Sequence, residues 1–153
     1  MARITVQSLA FFLLILCLLS GSMYSQVNAD KILGYWYTEG KKAKIEIYKK
    51  DGKYHGRVVE LKDPIDPDTK KPKLDKNNPD PAKRNMPLIG LNLIKNFIFK
   101  DGYWQNGTIY DPENGKEYSC YMEYDDPKND KKLKVRGYIG ISWVGRTTYW
   151  TRD

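Results

Sequence analysis

The chain has 153 residues, 29% of them charged, with 26 Lys and Arg against 19 Asp and Glu and a net charge of +7. That length suits one domain, and a single histidine with two cysteines is too small a ligand supply for an ordinary transition-metal centre. The lysines alternate with acids, as in Lys62-Asp63 and Lys128-Asn-Asp-Lys131, and form no helix-length basic stripe, so the surplus reads as a solvated basic surface with no nucleic-acid partner.

Residues 1–29 carry one charge, Arg3, then an apolar stretch from Leu9 to Leu19, then small or polar residues to Ala29. This is the layout of a secretory signal peptide. The stretch falls well short of the about 20 apolar residues a membrane-spanning helix needs, so cleavage is expected, with no integral membrane segment left behind. Val27-Asn-Ala29 suits the small-residue rule for cleavage, and Met23-Tyr-Ser25 suits it less neatly. The domain reading is therefore a signal peptide at 1–29 and one domain at 30–153, in a periplasmic or secreted protein. Cys17 lies inside the apolar stretch and follows Leu16 rather than a small residue, which argues against lipidation. Losing the leader takes the charge from +7 to +6 and leaves Cys120 as the one cysteine, so no internal disulfide is available and the core must suffice.

After the leader, Tyr, Trp, Val, Ile and Thr crowd short runs separated by turn residues, the composition of paired strands. Eight strands are predicted near 32–38, 43–50, 53–61, 95–101, 103–110, 116–124, 132–139 and 146–152. Asp51-Gly52 and Asp101-Gly102 suit tight hairpins, since glycine accepts the positive φ they demand. Asp111 to Gly115 and Asp125 to Asp130 suit longer turns. Between strands three and four, Lys62 to Asn92 is rich in Pro, Asp, Asn and Lys and must be a long loop, with a short helical turn expected over Pro87 to Ile94. Such a loop serves either as a lid over a barrel mouth or as a tethered surface segment. Eight sequential antiparallel strands close most economically into an up-and-down β-barrel, which removes exposed edges and has room for its own side chains or one small ligand. A closed barrel is also expected to be a monomer.

Three signatures in the last fifty residues, Gly107-Thr-Ile-Tyr-Asp-Pro112, Lys134-Val-Arg-Gly-Tyr-Ile-Gly140 and Gly145-Arg-Thr-Thr-Tyr-Trp-Thr-Arg152, resemble the bacterial domain-of-unknown-function 2147 family. Gly34-Tyr-Trp36, Tyr48, Asn77-Asn-Pro-Asp-Pro81 and Pro87-Leu-Ile-Gly90 extend the resemblance over nearly everything after residue 30. It implies an exported lipocalin-like barrel, and it lends neither an activity nor a catalytic residue. Glu60 departs from the family, where an aromatic is expected. Gly34-Tyr-Trp36 with Arg152 looks like the Gly-x-Trp and terminal Arg signature of lipocalin-like barrels. First and last strands are neighbours in a closed barrel, so guanidinium and indole can stack, and Gly34, Trp36 and Arg152 are assigned a structural role.

Strand alternation sorts the other candidates. If Arg152 faces inward, Arg146, Thr148 and Trp150 do too. In the seventh strand the apolar set of Leu133, Val135, Gly137 and Ile139 points inward by default, which places Arg136 outside, although the family motif keeps Arg136 among the pocket candidates. Tyr110 and Tyr118 flank the Asp111 to Gly115 turn and offer apolar walls with hydroxyl handles. The candidate ligand-binding set is Tyr110, Tyr118, Arg136, Arg146 and Trp150.

The acids of the long loop lack a calcium-loop spacing, so no metal or other cofactor is expected. Gly140-Ile-Ser142-Trp-Val-Gly145 is one residue too long for a nucleophile elbow. His55 stands alone as a base for a serine or Cys120. The expected function is non-enzymatic binding of a small amphipathic or acidic ligand in the barrel. The alternatives are a surface module that binds a protein or envelope component and, more remotely, a hydrolase.

Overall fold

The computed structural model describes residues 28–142 and 144–153. Apart from Asn28 and Ala29, the leader read from residues 1–29 lies outside the described residues, as does Trp143. Eight strands follow in order: β1 Gly34–Tyr37, β2 Ala43–Lys50, β3 Lys53–Leu61, β4 Asn92–Lys100, β5 Tyr103–Asp111, β6 Lys116–Asp126, β7 Asn129–Tyr138 and β8 Gly145–Thr151. Each strand pairs antiparallel with the next, and β8 returns to β1, closing an up-and-down barrel.

Local chemistry accounts for the hairpins. In both Asp51-Gly52 and Asp101-Gly102, aspartate and glycine alike adopt positive φ, 51° and 73° in the first pair, 53° and 86° in the second. Two left-handed residues in succession match the twist of a two-residue hairpin. The turn after β6 is tighter than expected: the strands run to Asp126 and from Asn129, leaving Pro127 and Lys128 between them. The Asp126 carboxylate accepts from the Lys128 amide at 2.9 Å and holds that turn.

The helical turn is displaced. A single 3-10 turn in the long loop covers Pro81–Lys83, where Asp80 caps the Ala82 amide at 3.0 Å and Pro81 presets the backbone. Pro87 to Ile94 is not helical, because its backbone finds other partners. Leu88 donates to the Lys73 carbonyl, Gly90 donates to that of Val58, and β4 begins at Asn92. β1 likewise starts at Gly34 rather than at residue 32, since Ala29–Ile32 form a 3-10 turn of their own.

That N-terminal turn plugs one end of the barrel. Trp36 donates its indole N–H to the Ile32 carbonyl at 2.8 Å, Trp104 donates to Ala29 at 3.2 Å, and the Tyr54 hydroxyl donates to Asp30 at 2.5 Å. Around this floor pack the largest inward side chains, including Trp36, Trp104, Phe97, Met122 and Leu133, all fully buried. The packing at Phe97 depends on Gly107 across the hairpin: a Cβ there would lie 2.1 Å from the Phe97 ring. The outer wall carries ion pairs such as Lys44–Glu60, Arg57–Glu46, Lys95–Glu117 and Lys134–Glu123. Among the described residues no helix is long and apolar enough to cross a membrane.

The closing seam is short. β1 and β8 share one registered pair, Tyr37 with Thr151, whereas β7 and β8 share seven. Arg152 compensates with its side chain. Its guanidinium lies 4.5 Å from the Trp36 ring centroid, donates to the Lys31 carbonyl at 2.7 Å and pairs with Asp130 at 2.8 Å. It thereby ties β8, the floor turn and the β6–β7 hairpin together.

Candidate functional site

At the end opposite the plug the barrel is not filled. A cavity of about 690 Å³ opens between the β1–β2, β5–β6 and β7–β8 turns. The difference between the two ends lies in residue size. Inward positions near the floor are Trp, Phe, Met and Leu, whereas those near the mouth include Gly137, Gly145, Thr148 and Thr38. A Cβ at Gly137 would approach Ile109 and Tyr118 at 3.4 Å and 3.6 Å, two residues of the cavity wall. The missing side chain at Gly137 is therefore part of the empty space.

Leu93, Ile109, Val135 and Trp150 form the apolar wall, contributed by β4, β5, β7 and β8. Glu39, Lys42, Asp111, Glu113 and Arg146 stand around the rim. Asp111 is occupied within its own turn, accepting from the Glu113 amide and the Asn114 side chain, both at 2.9 Å. The side chains of Glu39 and Glu113 enter no hydrogen bond or ion pair among the described residues, and neither do those of Arg146 and Lys42, which leaves two cationic heads for an anion above an apolar wall. Burying an acid beside them is favourable because the charge is met by donors rather than left bare.

Of the five candidate residues, Tyr110, Tyr118, Arg146 and Trp150 line this cavity. Arg136 is on the outer face, as its alternation with Val135 and Gly137 dictates. Its Nε donates to the Ser142 carbonyl at 2.6 Å and its Nη1 to Thr147 at 2.8 Å, so it braces the β7–β8 turn from outside. The two tyrosines give walls more than handles. Tyr118 accepts from Asn114 at 2.9 Å, and Tyr110 donates to Asp75 at 2.7 Å.

Asp75 belongs to the long loop and is fully buried, held also by Asn78 at 2.6 Å. Burial, reinforced by the Asp75 carboxylate, pushes the Tyr110 hydroxyl up to about 12, so it stays a donor throughout the ordinary pH range. Asn77 adds two bonds to the carbonyls of Pro112 and Glu113 at 3.1 Å and 2.9 Å. Residues 62–92 line no part of the cavity. The loop is thus a tethered segment beside the mouth rather than a lid across it.

Sequence reasoning missed Lys42, which sits in a turn where no periodicity applies. Thr148 and Val135 were legible, since each shares a strand face with residues already placed inward. His55 is stacked on Tyr48 at 5.7 Å and accepts weakly from the Asn96 amide at 3.5 Å, while Cys120 is buried within the barrel. The wall of the barrel separates base from thiol. No group of three or more His, Cys, Asp or Glu side chains among the described residues is placed to hold a metal ion.

Comparison with known proteins agrees with this fold. Residues 34–152 match the profile of a family described as an uncharacterized protein conserved in bacteria (DUF2147). No curated protein matches the chain. Among solved structures it is similar to protein HP1028 from the human pathogen Helicobacter pylori, described as belonging to the lipocalin family, with a TM-score of 0.66 and 22% identity over 80% of this chain and 82% of that one. At that identity the likeness extends to the fold.

Proposed function

Because the chain belongs to the bacterial DUF2147 family and its barrel is empty at one end, we propose that it is an exported, non-enzymatic carrier of a small amphipathic molecule with an acidic head. The observation that carries this reading is the cavity itself. Its volume of about 690 Å³ lies within the roughly 300–1,000 Å³ typical of small-molecule sites, and such sites pair apolar walls with a few polar anchors. An apolar tail rests against Leu93, Ile109, Val135 and Trp150, and the acid meets Arg146 and Lys42 at the rim. Export rests on the leader pattern of residues 1–29.

Native mass spectrometry of the protein purified from its own host, with a denatured extract alongside, tests the assignment. An added mass that disappears on unfolding is expected and identifies the ligand class. Titration with dodecanoate, followed by tryptophan fluorescence, then reads the head-group contacts. Replacing Arg146 and Lys42 together by alanine should weaken binding about tenfold or more, the loss expected for charge-assisted hydrogen bonds. A clean apo mass together with no dodecanoate binding would overturn the proposal.

A further inference from the structure

The cavity mouth carries a feature that a carrier in free solution does not need. The β7–β8 turn, residues 139–144, reads Ile-Gly-Ile-Ser-Trp-Val without a charge. Ile139, Ile141 and Val144 in it are exposed by 64%, 55% and 62%. Isolated exposed apolar residues are ordinary on a protein surface, but three in one projecting turn form a patch with a use. Described residues of the turn are bonded to one another and to β7: Ile141 donates to the Ile139 carbonyl at 3.0 Å, Val144 to that of Ile141 at 3.0 Å, and Arg136 to that of Ser142.

The charges around this turn select its partner. Arg136 and Arg146 flank it on the two strands, and the adjoining β1–β2 turn adds Lys41 and Lys42 against Glu39 alone. Four cations and one acid stand around this uncharged apolar tip, while the β5–β6 turn of the same mouth adds Asp111, taken up within its own turn, and Glu113. The cations nearest the tip match the chemistry of an anionic lipid surface, where apolar residues enter the headgroup boundary and basic residues meet the phosphates. A protein groove would match the apolar tip without explaining the ring of cations. We propose that the β7–β8 turn docks the barrel onto an anionic phospholipid bilayer, with the cavity mouth facing the membrane. This rests on the carrier reading above, since it presents the same mouth to a source or acceptor of amphipathic molecules.

Flotation with vesicles tests it, using protein purified from its own host with its mass recorded so that the state of the leader is known. Binding to vesicles containing phosphatidylglycerol is expected. Binding to phosphatidylcholine alone should be at least tenfold weaker, and raising the salt from 50 to 500 mM should weaken the phosphatidylglycerol complex by a similar factor. Ile141→Asp and Ile141→Ser should each lower vesicle binding at least tenfold. Ile141 is exposed and lines no part of the cavity, so dodecanoate binding measured on the same variants should be unchanged. Loss of dodecanoate binding in both variants would mean that the mouth, rather than the docking, had been disturbed, and Lys41→Gln, which neither lines the cavity nor holds the β7–β8 turn, then reads docking alone through its smaller loss of vesicle binding. Failure of the wild-type protein to float with either vesicle would overturn the proposal, as would equal flotation after Ile141→Asp. A concentration-dependent dimer abolished by Ile141→Asp would assign the patch to a second copy and overturn it too.

Discussion

At the scale of single residues, the barrel depends on side chains that are absent as much as on those present. Gly107 admits the Phe97 ring, and Gly107→Ala should cost about 1–3 kcal/mol in denaturant unfolding, the usual range for overpacking a filled core. Gly137 has the opposite consequence, because its Cβ position is free of severe contact and points among cavity residues. Gly137→Val should keep the fold and reduce dodecanoate affinity, which a thermal melt and the fluorescence titration together would show. Unchanged affinity would mean that the ligand does not use this wall. Cys120 is 1% exposed, and burial pushes its thiol up to about 12. It should resist a thiol reagent at pH 8 in the folded protein and react once the chain is unfolded, since the thiolate is the reactive form.

At the scale of elements, the ends of the barrel are secured by segments outside the sheet. The long loop is held to β5 by the Asp75–Tyr110 bond, and Tyr110→Phe would leave the buried carboxylate one donor short. A destabilisation of about 1–3 kcal/mol is expected, the cost of a partner lost by a buried polar group, with faster hydrogen exchange across residues 62–91. The N-terminal plug makes a prediction about processing. Asn28 caps the plug through the Asp30 amide at 3.0 Å, and the Ala29 carbonyl accepts from Trp104. Removal of residues 1–29 would take both away, whereas cleavage after Ser25 would keep them. The leader pattern sets the cleavage site, so the intact mass of the protein purified from its host is expected to begin at Asp30, with the plug forming without its cap, and a start at Gln26 would show that the cap is retained.

At the scale of the whole molecule, acid response follows from carboxylates anchored at several places on the barrel. Lys49, then the Tyr54 hydroxyl, hold the Asp30 carboxyl below its ordinary 3.8. Lys76 with the Thr69 amide does the same for Asp66, and Lys95 does so for Glu117. Groups depressed on folding contribute stability that is fully present above their unfolded values and is lost as pH falls through the folded ones. Stability should therefore be level in these groups between pH 7 and about 5, then fall below about pH 4, and Asp30→Asn should flatten the fall while weakening the plug at neutral pH. Denaturant midpoints measured at several pH values would show it. An unchanged acid slope in Asp30→Asn would remove that carboxyl from the account.

Taken alone, the sequence determined the architecture. Alternation along short strands and Asp-Gly hairpins are local patterns, and local patterns are what backbone sterics and strand periodicity dictate, while the pairing of Gly34-Tyr-Trp36 with Arg152 was legible only through the resemblance to lipocalin-like barrels. The same alternation placed Arg146 and Trp150 on the inward face, and it gave the outward reading of Arg136 that the family motif had held open. Tertiary structure alone decided where the inside is full and where it is empty. Whether Gly107 is filled by Phe97 or Gly137 leaves a void depends on which side chain faces it from another strand, a distance no alternation encodes. It also decided the fate of the long loop, because Asp75 finds Tyr110 and Asn77 finds the β5–β6 turn only after the barrel has brought residues 35 and 36 positions apart into contact.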